Sequence, residues 1–198
     1  MKKKKTIFYI WEYGSSPESQ TLLDLKELLS TKKYNICSDY YAQYNPEEAL
    51  FDLTNLINET KPDLIIGVGL GGYLALQLQG YKKILIDPYL NPVDELEKLT
   101  EEIENKDGEN EIVKTVPQHI INYYKEYTDK HNVWEKFNDN EIKLTSFVLY
   151  NNYNDNSKIM EHTSNINVIT QQATTKDSLK SLVVPLIEYT LNDKKGRS

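Results

Sequence analysis

Asp63-Leu64-Ile65-Ile66-Gly67-Val68-Gly69-Leu70-Gly71-Gly72-Tyr73 decides how the chain is read, because a strand, a tight turn and the start of a helix meet within it. The unbroken apolar run predicts a buried strand, the glycines a sharp turn, and Tyr73-Leu74-Ala75-Leu76-Gln77-Leu78 a helix. A turn of this layout carries a strained catalytic serine in the pattern Gly-x-Ser-x-Gly. Here the middle position is Gly69. The same letters satisfy Gly-x-Gly-x-x-Gly through Gly67, Gly69 and Gly72, the pattern of a dinucleotide-binding turn.

Outward from this stretch, apolar runs of strand length alternate with helical patterns, the mark of parallel βαβ units. Strands are predicted at Thr6 to Trp11, Tyr34 to Asp39, Asp63 to Gly67, Lys83 to Asp87, Ser146 to Tyr150 and Asn165 to Ile169. Helices are predicted at Glu18 to Leu29, Pro46 to Glu59, Gly71 to Leu78, Asn156 to Thr163 and Lys176 to Tyr189. The expected fold is therefore a three-layer α/β/α domain over residues 1–198, with a mostly parallel sheet of about six or seven strands. Asn91 to Asn140 breaks the rhythm: it reads as consecutive helices, an insertion able to flank a site.

At 198 residues the chain suits one core. A hydrophobic fraction of 39% with 15 tyrosines excludes a disordered chain, and a net charge of −7 argues against a nucleic-acid partner. The run Lys2 to Lys5 reads as a solvated arm; the apolar stretch after it is short, ends at Glu12 and lacks a cleavage site, so secretion is not expected. No segment is long enough to span a bilayer. Cys37 is the single cysteine and reads as a small buried hydrophobe. The expectation is a cytoplasmic protein without cofactor or metal site. A small molecule or a protein is the expected partner, with homo-oligomerisation left open.

The first strand and its exit, Ile7-Phe8-Tyr9-Ile10-Trp11-Glu12-Tyr13-Gly14-Ser15-Ser16-Pro17, stand where the small YqiA/YcfP-like α/β-hydrolases have a strand followed by His-Gly-Phe-x-Ser-Ser-Pro. Gly67 to Tyr73 resembles that family's Gly-x-Ser-Leu-Gly-Gly-Tyr except at Gly69, and Ile84-Leu85-Ile86-Asp87-Pro88 resembles its strand ending in Asn-Pro. The resemblance covers nearly the whole chain in order and spacing and implies an α/β-hydrolase fold with an esterase-like site. It also implies a Ser, Asp and His triad, and the matching positions are Gly69, Asn154 or Asp155, and Thr174. Trp11-Glu12-Tyr13 replaces the His-Gly-Phe that helps to stabilise an oxyanion.

Acyl transfer of this kind needs a hydroxyl and an imidazole that takes its proton. Glycine supplies no hydroxyl, and no histidine follows His162. The expected protein is thus an inactive pseudo-esterase, its pocket bordered by Glu12, Tyr13, Ser15, Ser16, Gly69, Leu70, Tyr89 and His119. Two alternatives stand beside it. One is an active hydrolase with a relocated constellation drawn from Ser15, Ser16, Glu12 and His119. The other is a dinucleotide-binding protein, for which Asp87 lies about where a ribose-binding acid would sit. The plainer roles are a turn and cap for the two serines, a solvated or lysine-paired charge for Glu12, and a helix start for His119.

Overall fold

The computed structural model describes residues 3–106, 116–149 and 175–192. Among these residues five strands form one parallel sheet: β1 (Lys5–Ile10), β2 (Tyr34–Cys37), β3 (Leu64–Val68), β4 (Lys83–Ile86) and β5 (Thr145–Val148), in the order β2-β1-β3-β4-β5. The sequence predicts each of these five with ends that differ by one or two residues. The sixth predicted strand, at 165–169, and the helix at 156–163 lie outside the described residues. Register is fixed by pairs such as Ile7 with Ile36, Tyr9 with Ile66 and Gly67 with Leu85. Ile7 to Ile10, Leu64 to Ile66 and Ile84 to Ile86 are buried almost completely, as parallel strands covered on both faces must be.

Helices α1 (Gln20–Leu28), α2 (Pro46–Thr60) and α3 (Leu70–Gln77) connect the first four strands. Ser19 caps α1 by accepting from the Leu22 amide, so the helix starts two residues later than the expected Glu18. Asn45 caps α2 by accepting from the amides of Glu47 and Glu48, with Pro46 in the first turn, as the sequence predicts. The helical insertion holds α4 (Pro92–Lys106), α5 (Gln118–Lys130), a 3-10 turn (Val133–Lys136) and α6 (Asp139–Leu144). Near the C-terminal end, α7 (Lys176–Ser178) runs through a π-helical turn (Leu179–Val183) into α8 (Val184–Asn192). Pro185 follows that turn, and the wider turn relieves the clash of its ring with a preceding carbonyl.

Every residue of α3 is buried. The helix sits so close to the strand ends that a β-carbon at Gly71 would fall 2.4 Å from the Ile10 carbonyl oxygen and 2.5 Å from that of Trp11. One at Gly72 would meet the Pro88 side chain at 2.8 Å. Two of the glycines in the opening stretch are therefore there for close packing. At the start of β1, the Lys5 ammonium donates to the Asp63 carboxylate at 2.6 Å, so the lysine run ends in a paired, half-buried residue, while Lys3 and Lys4 before it are exposed. Cys37 is half-buried, its thiol 3.6 Å from the Ile7 carbonyl. No helix among the described residues is long and apolar enough to cross a membrane.

Candidate functional site

The chain moves outward from β1 to β2, then returns past β1 to β3 and continues the other way to β4 and β5. Right-handed crossovers then place α1 on one face of the sheet and α2 and α3 on the other. The contacts agree: α1 packs on α7 and the π turn, α2 on α3 and α5. Between β1 and β3 the direction of winding reverses, and sheets of this kind hold their ligands in the crevice outside the carboxyl ends of the strands at such a point. Three segments leave the sheet there: Trp11-Glu12-Tyr13 after β1, Gly69 after β3 and Asp87-Pro88-Tyr89 after β4.

Gly69 has φ 53° and ψ −119°, a setting that residues with side chains rarely adopt. Its amide donates to the Ile86 carbonyl at 3.0 Å, and its carbonyl accepts from the amides of Gly72, Tyr73 and Tyr89 at 3.0, 3.2 and 3.0 Å. The turn is therefore held from β4 and from α3 at once. A β-carbon at this position would lie 3.2 Å from Glu12 Cβ and 3.3 Å from Tyr89 Cε1. Glu12, Gly69 and Tyr89, separate in sequence, meet at one point.

Glu12 is half-buried and no lysine among the described residues pairs with it; burial, and then the Asp87 carboxylate, push its carboxyl above its ordinary value of 4.5. The solvated or lysine-paired charge expected from the sequence is thus corrected: a neighbouring acid faces it. Asp87 itself has φ 41°, one of two non-glycine residues with positive φ among those described. A raised carboxyl means that the folded state holds the proton more tightly than the unfolded one, so this contribution is present below pH 4.5 and is lost as pH rises through the folded value. Glu12→Gln is expected to raise the melting temperature at pH 7, with the gain shrinking as pH falls toward 4. A melting series in pH checks it, and a variant less stable than the parent at pH 7 refutes the assignment.

On the β1 side of the crevice, Tyr13 stands edge-on to Tyr44 with ring centroids 6.4 Å apart. The Gly14 amide donates to Gln43 Oε1 at 3.1 Å, and the buried Tyr124 hydroxyl of α5 donates to the Gln43 carbonyl at 2.8 Å, which ties the helical insertion to this loop. The Ser15 amide donates to the Glu12 carbonyl at 3.2 Å, and Ser16 Oγ accepts from the Glu18 amide at 3.2 Å. Both serines do the turn work that their plainer reading gives them, and the cap of α1 belongs to Ser19. Leu70 opens α3 and is buried.

His119 lies exposed in the first turn of α5 against the Tyr123 ring, 6.2 Å between centroids, and no contact joins it to Glu12, Gly69 or Tyr89. Asn154, Asp155 and Thr174, the other positions matching the triad, lie outside the described residues. Among the described residues no three His, Cys, Asp or Glu side chains are placed to hold a metal ion. The pairing of Glu12 with Asp87 and the part played by Gln43 were not foreseen. Asp87 was visible as the last residue of a predicted strand, one strand away from β3.

The architecture is shared with solved hydrolases. Est1E from Butyrivibrio proteoclasticus superposes with a TM-score of 0.68 at 12% identity, covering 96% of this chain and 90% of that one. Alpha/beta hydrolase domain-containing protein 10 from mouse gives 0.62 at 13% identity, covering 94% and 90%. An esterase, EaEST, from Exiguobacterium antarcticum gives 0.58 at 11% identity, covering 96% and 93%. At such identities the likeness is one of fold, and the fold is that of the α/β-hydrolases. No curated protein matches the sequence. The family model that does match describes the uncharacterised protein family UPF0227 and spans residues 6–156, so this α/β-hydrolase-fold chain, with its YqiA-like motifs, belongs to UPF0227.

Proposed function

We propose that the protein is a catalytically silent α/β-hydrolase homologue that binds a small molecule or a protein at the carboxyl ends of β1 and β3. The observation that carries this reading is Gly69, which keeps a sharp positive-φ turn between strand and helix and has no side chain to act from it. The turn is taken as a nucleophile elbow that has lost its serine. Glu12 and Tyr89 close over the point from which a hydroxyl would project. A carboxylate there opposes the negative charge that develops on an ester oxygen.

The test is an ester assay on the purified protein with p-nitrophenyl acetate and butyrate, in which no turnover above buffer is expected. Gly69→Ser is expected to cost about 1–3 kcal/mol of stability, because serine is strained in this backbone setting. It should leave turnover absent, since Thr174 gives the new hydroxyl no imidazole. Hydrolysis by the parent protein that survives Gly69→Ala overturns the proposal.

One observation favours a second reading, an active hydrolase with its constellation elsewhere: the half-buried Glu12 carboxyl is raised by burial and then by the charge of Asp87, the environment from which general acids are made. Turnover in the same assay that Glu12→Gln abolishes selects it. The dinucleotide reading fits less well, because a pyrophosphate approaching Gly69 would meet both carboxylates.

A further inference from the structure

The flank of α3 that descends from Gly69 carries two polar side chains one helical turn apart, Tyr73 and Gln77. Tyr73 is 1% exposed and Gln77 9% exposed, yet the Tyr73 hydroxyl and both Oε1 and Nε2 of Gln77 find no hydrogen-bond partner among the described residues. Buried polar atoms are almost always paired, so three such atoms on neighbouring turns of one short helix require an explanation. Three other buried tyrosine hydroxyls in this core are paired: that of Tyr9 accepts from Ser19 Oγ at 3.2 Å, that of Tyr41 donates to the Trp11 carbonyl at 2.6 Å, and that of Tyr124 donates to the Gln43 carbonyl. An apolar residue at either position would have avoided the desolvation cost.

We propose that this flank of α3, beneath α5, is a binding site for a small neutral molecule bearing a carboxamide, urea or un-ionised carboxyl group. The Gln77 amide presents a donor beside an acceptor, which such a group matches with an acceptor beside a donor in a two-point pair. The Tyr73 hydroxyl supplies a further contact one turn nearer Gly69. A neutral guest is required for two reasons. Burial raises the Tyr73 phenol, with the Tyr127 phenol adding to the effect, so the hydroxyl stays un-ionised. Helix α3 itself carries no lysine or arginine, so a carboxylate lying along this flank would be buried without a cation from the helix to balance it. The Tyr124 ring, edge-on to that of Tyr73 with centroids 6.3 Å apart, is the wall that α5 contributes. The site does not depend on whether the Gly69 turn is catalytically silent.

The experiment is calorimetric and ligand-detected NMR titration of the full chain with benzamide and propionamide, with benzoate at pH 7 as the charged control. Both amides are expected to bind and benzoate not to. Gln77→Met should weaken amide binding about tenfold or more, while the melting temperature holds or rises because an unpaired amide has been removed. Tyr73→Phe should weaken binding by a smaller factor; it serves as the second variant if Gln77→Met does not fold. Absence of amide binding up to the solubility limit overturns the proposal, as does equal binding by both variants. A gain in melting temperature with no binding by the parent would assign the unpaired atoms to imperfect packing or internal water.

Discussion

Gly71→Ala is expected to unfold the protein or leave it only marginally stable. The added carbon would lie 2.4 and 2.5 Å from two carbonyl oxygens of the β1 exit, and neither can yield as a flexible side chain would. Either α3 lifts from the sheet or β1 bends away at Trp11. Overpacking typically costs about 1–3 kcal/mol, and a clash with two backbone carbonyls belongs at or above the top of that range. Urea denaturation with soluble yield is the measurement. Gly14→Ala is the control: its φ is 73° but nothing lies within 4 Å of the new carbon, so only the left-handed backbone cost of about 1–2 kcal/mol applies. Equal losses at Gly14 and Gly71 would mean that α3 does not rest on the ends of β1 as described.

Glu141→Ala should be comparably damaging for an electrostatic reason. Lys83 begins β4 with its side chain wholly buried, and its ammonium pairs with Glu141 Oε2 of α6. Glu141 Oε1 accepts from the Gly80 amide at 2.6 Å, so one carboxylate serves two donors, the buried ammonium and a backbone amide. Burial pushes the Lys83 ammonium below its ordinary value, and Glu141 counteracts that shift. Removing the carboxylate leaves a buried cation unpaired, at a cost of about 3–5 kcal/mol. The double change Lys83→Met with Glu141→Leu should recover most of the loss, because an apolar pair of similar volume replaces the ion pair. If the double variant is no more stable than Glu141→Ala, the loss comes from the Gly80 contact or from α6 itself.

The parallel sheet was legible because buried strands announce themselves as short, unbroken apolar runs, and Leu64 to Val68 is such a run. Strand ends are less legible: the sequence predicts Asp39 and Asp63 within strands that stop short of them, since hydrogen-bond registry, and not side-chain type, ends a strand. The sharp turn at Gly69 was readable from its glycines. That Gly71 and Gly72 serve packing depends on how far α3 sits from Ile10 and Pro88, which no local pattern encodes. Glu12 and Tyr89 are expected beside Gly69 because all three follow the carboxyl ends of predicted parallel strands, and the structure brings them together. His119 was drawn in by its chemistry alone, and the first turn of α5 faces it to solvent instead. Charge coupling between Glu12 and Asp87 required knowing that β1 and β4 flank β3, which is topology.

That strand order also bears on how the chain behaves as it is made. β1 can pair with β2 as soon as Cys37 is available, but its other edge waits for Leu64 to Val68. At about 5–20 residues per second, the intervening stretch leaves a nascent chain with the apolar edge of β1 uncovered for about one to five seconds. Helix α2 is produced during that interval, and its buried positions Ala49, Leu53 and Ile57 have no β3 to rest on. A ribosome pausing within residues 38–63 would therefore present chaperones, or a neighbouring nascent copy, with the stickiest form this molecule takes.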